Sequence, residues 1–212
     1  MNFEEDIFKR YKLNTDKIDR NIFEKFFLDG KFKAVIKISE EGKVYGEVFD
    51  IENNDIYLPL RTESQNGEFC TKIRECYKNI LKEIRDEYFL KEYFIFEQSN
   101  RIADLISKEF FAEPEFLWEK FSGCGVFRNP KTKKWFGIIM DIDKSKIIKN
   151  KKGLIEVLNI KLNPDEIKEK LKEKGFYSAY HMNKKNWLSI ILNDEINDSE
   201  IMKLVEKSYL LS

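Results

Sequence analysis

The spacing of the apolar residues changes along this chain between two periods, and this change constrains the fold more than any other feature. Phe32, Ala34, Ile36 and Ile38 occupy every second position, which is the spacing of a half-buried strand. After Asn66 the apolar residues recur every third or fourth position, as on one face of a helix. That stripe comprises Phe69, Ile73, Cys76, Tyr77, Ile80, Leu81, Ile84 and Tyr88. The sequence therefore predicts an α+β fold.

Residues 1–90 are expected to form a small α+β domain made of helix, three-strand meander and long helix. Two groups of apolar residues before Gly30 have the spacing of short helices: Phe3, Ile7, Phe8 and Tyr11, and then Ile22, Phe23, Phe26 and Phe27. The meander is placed at 32–38, 44–51 and 56–60, with turns at Glu41-Gly42 and Asn53-Asn54. If this domain has a ligand, we expect a protein partner.

Residues 91–212 are expected to form a second domain, in which helices pack on strands. A helix ends before Pro114, and strands are placed at 125–128, 135–142, 154–160, 176–181 and 187–192. Asn163 and Pro164 begin a helix that Gly175 ends, and a last helix closes the chain. The segments 133–141 and 185–193 resemble each other. That resemblance fits either two equivalent hairpins or coincidence, since buried strands draw on few residue types.

The charge of the chain is balanced overall but unevenly distributed. It has 38 basic and 38 acidic side chains, yet residues 120–185 contain 17 basic and 7 acidic ones. Five of these lysines lie in two predicted hairpin loops: Lys131, Lys133, Lys134, Lys184 and Lys185. Clustered lysines near aromatic residues suit a phosphate backbone. The alternative is that they are ordinary solvated turn residues in a lysine-rich chain.

Several strings in the second half resemble the MmcQ/YjbR family over residues 93–212. They are Pro114-Glu115-Phe116-Leu117-Trp118-Glu119-Lys120-Phe121, Gly125-Val126-Phe127-Arg128, Lys134-Trp135-Phe136 and His181-Met182-Asn183-Lys184-Lys185-Asn186-Trp187. The resemblance implies a CyaY-like domain with helices on an antiparallel sheet. It also implies DNA binding through a double-wing arrangement, which fits the two basic loops. From their lysines we expect this binding to be weak and electrostatic. The expected contacts are Arg128, Lys131, Lys133, Lys134, His181, Asn183, Lys184 and Lys185. The alternative is a protein–protein or small-ligand interaction module.

The sequence contains no recognisable catalytic, metal-binding or cofactor-binding set, so we expect neither an enzyme nor a cofactor. His181 has no identifiable nucleophile partner, Asp141 and Asp143 have no third ligand, and Cys124 is reactive only if its pKa is lowered. Phosphate-binding glycine motifs and zinc-finger spacings are absent. Trp118 is the candidate for a ligand-binding face, whereas Trp135 and Trp187, which begin apolar strands, are expected to be at least half buried.

The expected location is the cytoplasm. No run of about 18 apolar residues, the length that a membrane span needs, occurs in the sequence. The first residues are acidic, unlike a signal peptide. The three cysteines have no framework spacing, which fits a reducing compartment.

Overall fold

The computed structural model describes residues 1–212 and divides into two compact units, residues 1–92 and 93–212. Both units combine helices with antiparallel sheets, which confirms the α+β prediction. The division falls two residues beyond the expected boundary because Lys91 pairs with Tyr11 in a short antiparallel ladder. Residues 91 and 92 therefore belong to the N-terminal unit.

The N-terminal unit packs one long helix against an antiparallel sheet of four strands. Its elements are α1 (Phe3–Phe8), β1 (Tyr11–Leu13), β2 (Ile22–Phe27), β3 (Phe32–Ile38), β4 (Val44–Asp50), β5 (Asp55–Ile56), α2 (Glu68–Tyr88) and β6 (Phe89–Lys91). The sheet order is β2-β3-β4-β5, and β1 pairs with β6. The alternating residues of β3 and most of the predicted apolar stripe of α2 form one core, as the two periods predict. Phe69, at the start of the stripe, is instead exposed.

The segment from Ile22 to Phe27 is a strand, and its predicted helix is wrong. Phe23 and Phe27 pack against the core while Phe26 is exposed. Residues 23 and 27 fall on the same side of both a strand and a helix, so their spacing alone does not distinguish the two. The segment is a strand because it forms a hairpin with β3. Leu28, Asp29 and Gly30, which all have positive φ, make the turn of this hairpin. The predicted strand 56–60 is shorter, since β5 ends at Ile56 and a 3-10 turn follows.

A buried polar cluster ties α1 to the sheet and to α2 in the N-terminal unit. The Glu4 carboxylate accepts hydrogen bonds from Arg61 at 2.7 and 3.0 Å and another from the Tyr77 hydroxyl. Arg61 also donates to the Gly46 carbonyl at 2.6 Å. A Cβ at Gly46 would lie 1.9 Å from the Tyr77 hydroxyl oxygen. Only glycine therefore lets β4 approach the cluster this closely.

The C-terminal unit is a five-stranded antiparallel sheet in the order β10-β11-β9-β8-β7. Its elements are α3 (Glu97–Phe110), β7 (Gly125–Arg128), β8 (Trp135–Asp143), β9 (Leu154–Lys161), α4 (Pro164–Lys170), β10 (Phe176–Ser178), β11 (Trp187–Ile191) and α5 (Asp198–Leu210). None of the helices in either unit has the length and apolar character to cross a membrane.

The two faces of this sheet are covered differently. One face packs against α3, α4 and α5 through alternate residues such as Ile139, Leu158 and Ile190. We call the other the open face, because loops rather than helices cover it. Its residues include Val126, Ile138, Met140, Val157, Trp187 and Ile191. A binding site built on this sheet can therefore use only the open face or the strand ends.

The C-terminal unit is predicted to fold as an isolated fragment of residues 93–212, because it has a separate hydrophobic core. All three tryptophans lie in it. The urea transition of the fragment, followed by tryptophan fluorescence, should therefore have about the midpoint seen in the full chain. A fragment that aggregates or lacks a cooperative transition would show that the unit needs residues 1–92.

Candidate functional site

The two basic loops lie at the same end of the five-stranded sheet. We call residues 129–134, between β7 and β8, the first basic loop, and residues 179–186, between β10 and β11, the second basic loop. β8 and β11 both pair antiparallel to β9, with Trp187 opposite Lys161 and Gly137 opposite Ile160. Both strands thus begin where β9 ends. Their starts are two strand spacings apart, about 10 Å.

The lysines of these loops are exposed and have no acidic partners. Lys131, Lys133, Lys134, Lys184 and Lys185 are all exposed, and none forms an ion pair. Lys161, at the end of β9 between the loops, stacks its ammonium over Trp187 at 5.3 Å. Burial, and then the positive charge of Lys134, hold the pKa of Lys161 below its usual range. This end of the sheet therefore concentrates uncompensated positive charge.

An asparagine shapes each basic loop in the same way. The side-chain oxygen of Asn129 accepts from the Lys131 backbone N–H at 2.9 Å, and that of Asn183 accepts from the Lys185 N–H at 3.0 Å. Such turns are the usual role of asparagine in loops. The Asn183 side-chain oxygen, predicted as a nucleic-acid contact, therefore also holds the loop shape. Trp135 and Trp187 follow the two loops on the same face, and Trp187 is buried while Trp135 is largely so.

Arg128 is engaged at the base of the first basic loop. Its guanidinium forms an ion pair with Glu115 at 2.8 Å, donates to the Lys133 carbonyl at 3.3 Å, and lies over the Trp135 ring at 5.5 Å. The arginine predicted as a finer nucleic-acid contact thus has a structural role here. A phosphate would have to compete with Glu115 for it.

The structure separates one group of lysines in the basic segment from the two loops. Lys144, Lys146, Lys149, Lys151 and Lys152 lie between the end of β8 and the start of β9. Asp143 pairs with Leu154 in that ladder, so this connection is at the opposite end of the sheet. The net charge of +10 over residues 120–185 is therefore not concentrated at the two basic loops alone.

A cleft of about 490 Å³ lies on the open face along β8. Its walls are mainly aromatic and apolar, with acidic and basic groups at the rim. The lining residues are Trp118, Phe121, Cys124, Trp135, Ile138, Met140, Asp141, Ile142, Asp143, Lys146, Tyr180, His181 and Met182. This volume is in the range of small-molecule pockets, roughly 300–1,000 Å³.

One wall of the cleft is held by a buried polar network. The Ser189 hydroxyl donates to the Asn159 side-chain oxygen and accepts from the Tyr180 N–H at 3.1 Å, while Asn159 donates to the Tyr180 carbonyl at 3.0 Å. Asn159 and Ser189 are fully buried in the middle of the sheet. His181 follows with a φ of 55°, and its ring contacts that of Tyr180 at a tilt of 58°, with the centroids 4.1 Å apart. The predicted strand 176–181 ends at Ser178 because the chain turns there onto the open face.

The ionisable residues of the cleft do not form a reactive centre. Burial, and then the Asp141 carboxylate, raise the pKa of the Cys124 thiol to about 11, so the thiol is protonated at neutral pH. Asp143 accepts hydrogen bonds from Ser145 and from the Gly153 N–H at 3.4 Å. Of the two acids, only Asp141 is left without a hydrogen bond or ion pair.

The structure brings together residues that the sequence presents separately. Trp118, Cys124, Asp141, Asp143 and His181 all line the same cleft. They belong to three chain segments, whose proximity depends on the strand order β11-β9-β8-β7. In the sequence, only the exposed aromatic residues before β7, such as Trp118, point to a binding site at this cleft.

Comparisons with known proteins concern the C-terminal unit. A family model described as YjbR matches residues 110–211. The uncharacterized protein YyaQ of Bacillus subtilis (strain 168) is 32% identical over 108 residues, which are 50% of this chain and 91% of YyaQ. A crystal structure of a Pseudomonas syringae protein has a TM-score of 0.52 and 34% identity, over 55% of this chain and 98% of its own. A solution NMR structure from Pseudomonas syringae gives 0.49 and 34%, over 53% and 90%. None of these names states an activity or a ligand.

Proposed function

Because the chain belongs to the YjbR family, we propose that its C-terminal unit binds the phosphate backbone of DNA through the two basic loops. The single observation that carries this proposal is the placement of five unpaired, exposed lysines at one end of the sheet. The lysines are Lys131, Lys133, Lys134, Lys184 and Lys185.

The spacing of the loops suits one duplex. The loops begin about 10 Å apart, and double-stranded DNA carries one negative charge per about 1.7 Å of its axis. Both loops can therefore reach phosphates of the same duplex. The asparagine turns hold the loop backbones, so less conformational entropy is lost on binding than for a free loop.

The binding is proposed to be weak and independent of base sequence. Base readout needs side chains with paired donors or acceptors aimed at base edges. Arg128 is held by Glu115, and the Asn183 oxygen is used in its turn. Purely electrostatic binding gives dissociation constants of about 10⁻⁴–10⁻⁶ M at physiological salt.

Reversing the charge of the loops is expected to abolish DNA binding. In the variant Lys133→Glu, Lys134→Glu, Lys184→Glu and Lys185→Glu, the affinity for a short duplex should fall below detection at low salt. For the unchanged protein, log affinity should fall linearly with log salt, by about 0.9 for each phosphate neutralised. Fluorescence anisotropy of a labelled duplex of random sequence, at several salt concentrations, measures both results.

The opposite end of the sheet offers a control of equal charge change. The exposed or partly exposed Lys144, Lys149, Lys151 and Lys152 lie there; their reversal to Glu changes the net charge by the same amount. This control variant should keep most of the affinity, because only long-range attraction is lost. If both variants lose binding equally, the contact is not made by the loops. If neither does, or if no salt slope is seen, the interaction-module function is favoured instead.

A further inference from the structure

We propose that the cleft on the open face binds a small organic cation carrying a quaternary or alkylated ammonium group. Trp118 and Trp135 would form its aromatic walls, and Asp141 would supply the opposite charge. The cleft shares Tyr180, His181 and Met182 with the second basic loop, but the proposal does not rest on the function proposed for the loops.

The aromatic walls have the geometry that an alkylated cation needs. The rings of Trp118 and Trp135 are perpendicular, with an interplanar angle of 89° and centroids 5.9 Å apart, so they form two sides of a corner. Trp118 is 38% exposed and the neighbouring Phe121 is 67% exposed, although both line the cleft. Indole faces attract cations through their quadrupole, and aromatic cages are the usual receptors of quaternary ammonium groups.

The Trp118 ring is free of the protein's own cations, since no side-chain cation lies over it. The Trp135 ring already has the Arg128 guanidinium over it at 5.5 Å, so Trp118 is the main cation-binding wall. The Met140 and Met182 side chains also line the cleft. Thioether side chains are flexible, so they can pack around ligand ammonium groups that carry different numbers of methyl groups.

The charges at the rim select a cation over an anion. Lys146 lies close enough to Asp143 to help hold the pKa of that carboxyl below its usual range, after the hydrogen bonds from Ser145. The two opposite charges therefore offset each other. The carboxylate of Asp141 has no partner and lies beside Gly123, where a Cβ would be 2.1 Å from the Asp141 Oδ1 atom. The two carboxylates, Asp141 and Asp143, therefore outnumber Lys146 at the rim of the cleft.

Titration of the full chain with tetramethylammonium chloride or choline chloride, followed by tryptophan fluorescence, tests the proposal. Two of the three tryptophans line the cleft, so a saturable change in emission is expected. Sodium chloride at equal concentration should give none, because a small hydrated ion does not enter an aromatic cage. The neutral carbon analogue of choline, 3,3-dimethylbutan-1-ol, should bind about tenfold more weakly.

Two variants locate the site. Trp118→Ala and Asp141→Asn should each weaken choline binding about fivefold to tenfold, while leaving the thermal midpoint nearly unchanged. Asp104→Asn is the matched control for Asp141→Asn, because Asp104 is an exposed carboxylate on α3 that pairs with Lys108; it should bind choline normally. Equal binding of the neutral analogue, equal weakening by Asp104→Asn, or no saturable signal up to about 0.1 M would each overturn the proposal.

Discussion

Replacing Glu4 by alanine is expected to lower the free energy of unfolding of the N-terminal unit by about 3 kcal/mol. Glu4 is 5% exposed and binds both Arg61 and the fully buried Tyr77. Its removal leaves the guanidinium without its acid and the buried hydroxyl without its acceptor, and each loss is costly. The expected value lies at the low end for buried ion pairs because Arg61 keeps 40% of its side chain exposed and can be hydrated.

The chain provides an internal reference for this measurement. Tryptophan fluorescence reports only the C-terminal unit, since residues 1–92 contain no tryptophan. Urea unfolding followed by hydrogen exchange of α2 amides should shift in Glu4→Ala, while the fluorescence transition stays in place. Glu5→Ala is the matched control, because Glu5 is exposed and bonds only to Asn2 in the same turn; it should cost less than about 1 kcal/mol. An equal loss from both variants would show that the cluster is not the cause.

The same cluster predicts a pH dependence of definite sign. Burial alone would raise the pKa of Glu4, but the hydrogen bonds from Arg61 and Tyr77 outweigh it and hold the pKa below its ordinary value of 4.5. Stabilisation from a carboxyl with a lowered pKa is complete above the unfolded-state pKa and is lost as the pH falls through the folded-state pKa. The N-terminal unit should therefore lose stability below about pH 4.5. In Glu4→Ala this acid sensitivity should be reduced.

The sequence predicted the elements of this fold better than their pairing. Long helices such as α2 were predicted because their apolar stripe extends over many turns, and strands such as β3 because they alternate. The strand from Ile22 to Phe27 was missed because its aromatic spacing fits a helix as well. Only pairing with β3 and the positive φ values at residues 28–30 decide its structure, and neither is visible in local periodicity.

The candidate sites show the same limit. The two basic loops were predicted from the residues and the family resemblance, because hairpin loops are local features. The two loops lie at the same end of the sheet because their hairpins pair with β9 from either side. This strand order cannot be read from the sequence. The cleft joins Trp118, Asp141 and His181 across three segments, so it depends on long-range packing. Likewise, the Glu115–Arg128 ion pair spans a turn whose course is fixed only in the folded chain.

Replacing Glu156 by alanine is expected to destabilise the C-terminal unit by about 3 kcal/mol. Glu156 lies on β9 and is fully buried. Its two carboxylate oxygens accept from the backbone N–H groups of Ile95 and Phe96 at 2.9 and 3.0 Å. These donors lie just before α3, whose amino-terminal partial positive charge also favours a carboxylate.

The loss in Glu156→Ala has two sources, the unsatisfied donors and the space left in the sheet face that α3 covers. Glu156→Gln keeps one acceptor oxygen and most of the volume, so it should cost about half as much. Glu97→Ala, at the exposed first residue of α3, should cost less than about 1 kcal/mol. Because all three tryptophans are in this unit, urea unfolding followed by fluorescence measures the loss directly. If Glu156→Ala unfolds at the same urea concentration as the unchanged chain, the carboxylate does not join α3 to the sheet.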